Sequence, residues 1–453
     1  MQTDVAAPGS PDVATRTRAM WGGLAVALGL VAAAVLGPGL LDWTVYAYAH
    51  PGPDDVAPLH AQWEPRVGQG TVPAVLVALL GWRYAVRAGE RLPWRLLLVA
   101  TYVAGLAWLL SLALVDGVDG VSSILAHPYE YLETARATSD FPAALQEWVT
   151  RIPLDSQDNW PTHVAGHPPG ALLFFVVLDR LGLGGAGAAG LVVTLVAASI
   201  PAAVLTTLRT LGEEAAARRA APFLVLGPAA LWLCVSGDAV FAAVAAWGLA
   251  SLAVAATRTS WARTAPWAAL AGLLLGGCVM MSYGLPLLGL LALAVLAAAR
   301  SWRPLPIAAV AACVVVLAFA AGGYALWEAY PVLRERYWDG VASDRPASYW
   351  IWANLAALVL SAGPVLGAGL GQVAARRADL GRPVLLLVAA AVASIAVADA
   401  SQMSKAEVER IWLPFVPWLL VATSALPSRW RGPALGLQLA AALALQHLVH
   451  TSW

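Results

Sequence analysis

Charge is what this sequence has least of. Asp, Glu, Lys and Arg make up 12% of its 453 residues, roughly half the usual share for a soluble globular chain, while 60% are hydrophobic and the mean hydropathy is +0.70. So little polar surface cannot cover a water-soluble fold of this size, and the chain reads as an all-α polytopic integral membrane protein. Lysine is nearly missing, Lys405 being the single one. With 27 basic against 27 acidic residues the net charge is zero, which leaves no basic face for nucleic acid and no acidic tail for a basic partner. Cysteine is scarce as well. Cys234, Cys278 and Cys313 stand in separate apolar runs, which excludes a disulfide framework or cysteine metal cluster and predicts core packing for them. No Walker, dinucleotide-binding or zinc-protease motif occurs.

What the sequence has in abundance is apolar runs of membrane-crossing length. Thirteen are expected, at about 20–44, 70–88, 92–115, 186–208, 220–236, 239–257, 266–283, 285–300, 304–327, 349–373, 382–399, 411–427 and 432–450. Residues 1–19, with Pro8, Pro11, Arg16 and Arg18, precede the first run with no small-residue cleavage site at its end, and are expected to form a cytoplasmic tail ahead of a retained anchor. Short cytoplasmic loops retain Arg and Lys. Threading the chain with its N-terminus inside puts 18 of the 27 basic residues on the cytoplasmic side, among them Arg83, Arg91, Arg218, Arg219, Arg376 and Arg431, and leaves 21 of the 27 acids at or near the outer face. That asymmetry supports a multi-pass protein of the plasma membrane whose chemistry faces outward.

Residues 168–183 are apolar but short and end in Asp179 and Arg180; if they crossed, every later loop would invert. They are therefore expected to form an interfacial or re-entrant outer helix opened by Pro168 and Pro169. The chain then divides into the tail (1–19), N-terminal membrane helices (20–115), one long outer loop carrying interfacial helices (116–185) and a helical core with short outer loops (186–450). Loops of such length are usually functional or disordered. This one is rich in Trp, Tyr, His and acids, and reads as ordered. The other outer loop, 46–69, holds Asp54, Asp55, His60, Trp63, Glu64 and Arg66 without a motif, and is placed to cover a site.

Within 116–185, Glu130-Tyr131-Leu132 opens a short helix, and some thirty residues later His167-Pro168-Pro169 opens the apolar one. Asp238 then follows Ser236-Gly237 between two apolar runs, and Lys405-Ala406-Glu407-Val408-Glu409-Arg410-Ile411-Trp412-Leu413-Pro414 leads into a late run. In this order the stretches resemble the GT-C superfamily of membrane glycosyltransferases, which includes protein O-mannosyltransferases, lipid A aminoarabinose transferases and actinobacterial envelope enzymes. The usual first-loop pattern there is Asp-Glu before the Tyr; here Tyr129 takes the place of the Asp, and the first-loop carboxylate is open between Glu130 and the upstream Asp116 and Asp119. The usual Lys before a Tyr-Gly turn is absent at Met281-Ser282-Tyr283-Gly284. The resemblance implies transfer of a sugar, mannose or arabinose in type, from a polyprenyl-phosphate donor to an envelope glycan, lipid or protein acceptor, with inversion.

Such chemistry needs a carboxylate base at the acceptor oxygen and cations at the departing phosphate. Glu130 and Asp238 are the candidate base and partner, or a pair of carboxylates for a divalent metal, with Asp116 and Asp119 as alternatives. Arg410, Lys405, Arg334 and Arg336 are candidate phosphate ligands, and His163, His167 and Tyr131 candidate substrate contacts. Blander roles stand beside these. Glu130 would serve as a loop acid or helix cap, Asp238 as a helix N-cap, and Trp148, Trp160 and Trp338 as packing rather than sugar platforms. A non-catalytic lipid–sugar scaffold is the alternative function. Transport is disfavoured, because the runs hold almost no ionisable groups at their centres.

Overall fold

Runs of Ala, Leu, Val and Gly satisfy every backbone group only by coiling on themselves when water is absent. In a computed structural model, which describes residues 13–451, they do so almost throughout, and the one sheet is a pair of three-residue antiparallel strands, Ala61–Trp63 and Val449–Thr451. Residues 1–12, most of the expected tail, lie outside the described residues; a helix already runs from Val13 to Leu41.

Seven helices among the described residues are long and apolar enough to cross a membrane: Thr17–Leu41, Thr71–Arg91, Trp94–Asp116, Ala186–Thr210, Gly237–Ala256, Trp261–Val279 and Arg382–Ala400. Two further runs are bent pairs, Leu305–Ala321 with Leu326–Asp339 at 73° and Ala347–Ala362 with Val365–Ala375 at 102°, which make the total nine only when each pair is counted as one span. The other four expected runs differ. The run at 220–236 becomes the helix Glu214–Val225 and the single turn Ala230–Leu233. Those at 285–300 and 411–427 hold only the shorter apolar helices Leu285–Ala299 and Val416–Ala425, and the helix Ser428–Leu448 carries Arg429 and Arg431 in its first turn. The chain is thus a multi-pass membrane protein by its apolar helices, with thirteen spans not reached by length and composition.

Each break has a local cause. Gly363 takes φ +91° and Pro364 follows it, so the chain turns where neither residue continues a helix. The freed backbone groups are met by the buried Gln438, whose Nε2 donates to the Ala362 carbonyl at 2.9 Å and whose Oε1 accepts from the Val365 N–H at 3.1 Å. Elsewhere close packing depends on small residues: a Cβ on Gly23 would stand 2.1 Å from the Gly367 carbonyl oxygen, so the first helix and Val365–Ala375 touch backbone to backbone.

The helix Gly237–Ala256 is the most buried of the seven and brings Asp238 to one end of the bundle. Around that end stand the short helices of the 116–185 segment: Tyr131–Ala137, Phe141–Glu147, Thr162–Gly166 and Pro169–Arg180. The last falls where an interfacial or re-entrant helix was expected. Its 12 residues rise about 18 Å, well short of the roughly 30 Å hydrocarbon core, and it buries Ala171, Leu172, Phe175 and Val176. Of the cysteines, Cys234 and Cys278 are buried as expected, but Cys313 is exposed on Leu305–Ala321. A helix apolar on all sides gives its sequence no mark of which face turns inward.

Candidate functional site

Four residues far apart in sequence meet in one buried chain of hydrogen bonds. Glu130 stands at the start of Tyr131–Ala137 but does not cap it; its carboxylate turns inward, and Oε1 lies 2.7 Å from His163 Nδ1. His163 Nε2 is 3.1 Å from Arg410 Nη2, and Arg410 Nη1 donates to Asp238 Oδ2 at 2.7 Å. Ser236, not Asp238, caps Gly237–Ala256, its Oγ accepting from the Ala239 N–H, which leaves the Asp238 carboxylate for Arg410. Glu130, His163, Asp238 and Arg410 are each 3–7% exposed.

The order of donors fixes the proton on the imidazole. A guanidinium only donates, so His163 Nε2 accepts from Arg410, and Nδ1 then carries the hydrogen donated to Glu130. Burial alone would raise the Glu130 carboxyl, but His163 and Arg410 outweigh it and hold the group below its ordinary value. Glu130 Oε2 is buried with no hydrogen-bond partner among the described residues. His167 turns its Nδ1 to the His163 carbonyl at 2.8 Å, and burial pushes its imidazole down to about 4, so it is neutral at physiological pH. Tyr131 stacks face to face on Phe175, with centroids 5.1 Å apart, and forms the wall behind Glu130.

The cations are less available than their sequence positions suggest. Arg410 Nη2 also donates to Glu407 Oε2 at 2.9 Å; burial opposes its charge, but Asp238, Glu407 and Glu130 together hold it above its ordinary value. Lys405 is buried, its Nζ donating to the carbonyls of Ala342 and Arg345 at 3.1 and 3.0 Å and lying 4.5 Å from the centre of the Trp338 ring. Arg336 clamps the 116–185 segment through the Ile152 and Trp160 carbonyls at 2.5 and 3.0 Å. Arg334 is exposed. Asp116 and Asp119 stand apart from the network: Asp116 pairs with Arg66 and accepts from Gln446 Nε2 at 2.7 Å, and Asp119 is exposed in a short turn.

Sequence reasoning missed Glu407, Glu409, Arg345 and His60 as parts of this region. Ala406 and Glu407 both take left-handed backbone, φ +66° and +60°, which folds the segment back beneath Arg410. Burial would raise Glu407, yet Arg410, His60 and Arg345 hold it below its ordinary value. Arg345 is buried and donates to the carbonyls of Tyr46, Ala47 and Lys405, while the His60 N–H donates to Glu409 Oε1 at 2.9 Å. The 46–69 loop is thereby laid over the 405–410 segment, as its position suggested. The one signal available was acidic spacing: Glu407 stands three residues before Arg410, within reach on a single turn.

Among the described residues no group of three or more His, Cys, Asp and Glu side chains is placed to hold a metal ion. The Arg410 guanidinium already occupies Asp238, so this donor set does not fit a divalent cation. The indole faces are also taken. Trp148 and Trp160 are buried against each other, with Arg151 3.5 Å above the Trp160 ring. A cleft of about 620 Å³ runs along the exposed face of Tyr131–Ala137, lined by Glu133, Asp140, Glu147 and Arg151, and touches none of Glu130, His163, Asp238 or Arg410. No family model, curated protein or solved structure matches this chain. The likeness to the GT-C superfamily rests on its motifs alone.

Proposed function

We propose that this chain is a membrane glycosyltransferase that moves a sugar, mannose or arabinose in type, from a polyprenyl-phosphate donor to an envelope glycan, lipid or protein acceptor at the extracytoplasmic face of the plasma membrane. The observation that carries the reading is the lone oxygen of Glu130: a buried, ionised carboxylate, oriented by His163, with Oε2 left without a partner among the described residues. In the reaction Oε2 takes the proton of the acceptor hydroxyl, that oxygen attacks the anomeric carbon from the face opposite the phosphate, and the carbon–oxygen bond to the phosphate breaks. Arg410 then exchanges Glu407 for the departing phosphate while Asp238 keeps the guanidinium in place. The reading uses no metal.

One observation favours a second reading, a lipid–sugar-binding scaffold without catalysis: Arg410 and Lys405 are both engaged by groups of the chain itself. Transfer of labelled sugar in membranes containing wild type, Glu130→Gln or Asp238→Asn separates the two. The glycosyltransferase reading expects transfer by wild type that Glu130→Gln abolishes at unchanged protein level. Retention of the polyprenyl-phosphate sugar with no transfer by wild type would support the scaffold.

A further inference from the structure

At the opposite end of the bundle, several helix ends converge. Thr71–Arg91 and Val365–Ala375 finish there, Glu214–Val225 and Ser428–Leu448 begin there, and the turn that follows Val416–Leu420 closes there. Carbonyls that a turn's end leaves without backbone partners attract cations. Arg376 Nη1 donates to the Ala425 carbonyl at 2.8 Å, and Arg431 Nε to that of Leu426 at 3.1 Å. Arg431 also pairs with Glu90 at 2.7 Å, and Arg376 lies 4.0 Å from Asp379. These two arginines have structural work to do.

Arg219, on the helix packed against that turn, has none. It is half-buried, its Nε is buried with no hydrogen-bond partner, and no ion pair reaches it among the described residues. Burial and then the guanidiniums of Arg431 and Arg376 push it below its ordinary value, against a weaker pull from Glu213 and Glu90. A half-buried cation whose strongest neighbours are like charges is destabilising unless an anion joins it. The surroundings fit a membrane surface: Trp21 and Trp430 meet edge to face at 5.0 Å, and Arg429 lies over the Trp430 ring.

We propose that Arg219, with Arg376 and Arg431 beside it, binds a phosphate-bearing anion, supplied by the headgroup of an anionic membrane lipid. Arg219 offers a planar fork of donors that suits two phosphate oxygens at once, and Trp430, next to Arg431 on the same helix, is a residue type enriched at headgroup level. The site lies away from the Glu130 network and does not rest on the glycosyltransferase reading.

The full chain, purified from membranes and placed in nanodiscs of phosphatidylcholine with and without phosphatidylglycerol, tests this by native mass spectrometry. Wild type should retain a phosphatidylglycerol molecule, Arg219→Gln should lose it by roughly tenfold, the worth of one charge-assisted pair, and Arg219→Lys should retain an intermediate amount. Arg258→Gln, an exposed arginine at the same end, should behave as wild type. A parallel titration with inorganic phosphate separates the sources: thermal stabilisation of wild type but not Arg219→Gln, without lipid retention, would assign a soluble phosphate to the same three arginines. Equal retention by wild type, Arg219→Gln and Arg219→Lys, with no phosphate effect, would overturn the proposal. Because Arg219→Lys keeps the charge, a folding failure in Arg219→Gln alone does not mask the result.

Discussion

Glu409 carries a pH dependence whose size follows from its surroundings. It is fully buried, Oε1 accepts the His60 N–H at 2.9 Å, and Oε2 has no hydrogen-bond partner among the described residues. Burial, only partly offset by that N–H, pushes its carboxyl up from 4.5 to about 7. A folded-state value above the unfolded one means that the folded chain holds the proton more tightly, so the stability this group contributes is complete below about pH 4.5 and is lost as the pH rises towards 7. At about 1.4 kcal/mol for each pH unit of that interval, the loss approaches roughly 3 kcal/mol by pH 8. Glu409→Gln keeps an acceptor for His60 and removes the charge. Its unfolding midpoint in detergent should exceed that of wild type by a few degrees at pH 8 and match it near pH 4.5. A variant that is no more stable than wild type at pH 8, or a difference that does not change with pH, would refute the reasoning.

Other consequences follow from the same contacts. Arg410→Leu leaves the buried Asp238 carboxylate without its cation and Glu407 with only Arg345 at 3.7 Å, and should lower stability by roughly 3–5 kcal/mol; adding Asp238→Asn should recover part of it in the same thermal assay. Gly190→Ala would put a Cβ 1.8 Å from the Val121 carbonyl oxygen, so Ala186–Ala197 must shift and the unfolding midpoint should fall, at a cost of about 1–3 kcal/mol. For orientation, cysteines introduced at Asp140 and Arg180 should react with an impermeant thiol reagent on whole cells, and one at Ala215 should not. Reaction at 215 would invert the orientation, and with it the outward-facing site.

Much of the site was legible because its residues interrupt apolar surroundings. Glu130, His163, Asp238 and Arg410 are polar residues bordering runs that have almost none, and the structure brings these four together. Helix number was less legible. A run of Ala and Leu reads the same whether it is straight or broken, and the 102° bend at Gly363 depends on Gln438, which comes 75 residues later. The partners of the cations were not legible at all. A lysine or arginine in an outer loop has the same sequence signature whether it faces a ligand or ties down a carbonyl, and only the fold places Ala342 and Arg345 around Lys405.

That ambiguity is resolved for the outer cations one by one. Removing the 18 basic residues expected inside from the total of 27 leaves nine: Arg66, Arg136, Arg151, Arg180, Arg334, Arg336, Arg345, Lys405 and Arg410. Arg66 pairs with Asp116 and Arg410 with Asp238 and Glu407; Arg136, Arg151, Arg180, Arg336, Arg345 and Lys405 all donate to backbone carbonyls. Broken helices and long loops leave carbonyls that must be met inside or beside a membrane, and these side chains meet them. Arg334 is different: it is exposed and has neither a hydrogen bond nor an ion pair among the described residues. Under the glycosyltransferase proposal, first contact with the donor phosphate therefore falls to Arg334, two residues before the structural Arg336. Arg334→Gln should therefore raise the KM for a polyprenyl-phosphate donor and leave the unfolding midpoint unchanged, whereas Arg336→Gln, which frees the Ile152 and Trp160 carbonyls, should lower the midpoint. The reverse pattern would mean that the outer segment is not held by Arg336, and that the donor approaches by another side of the bundle.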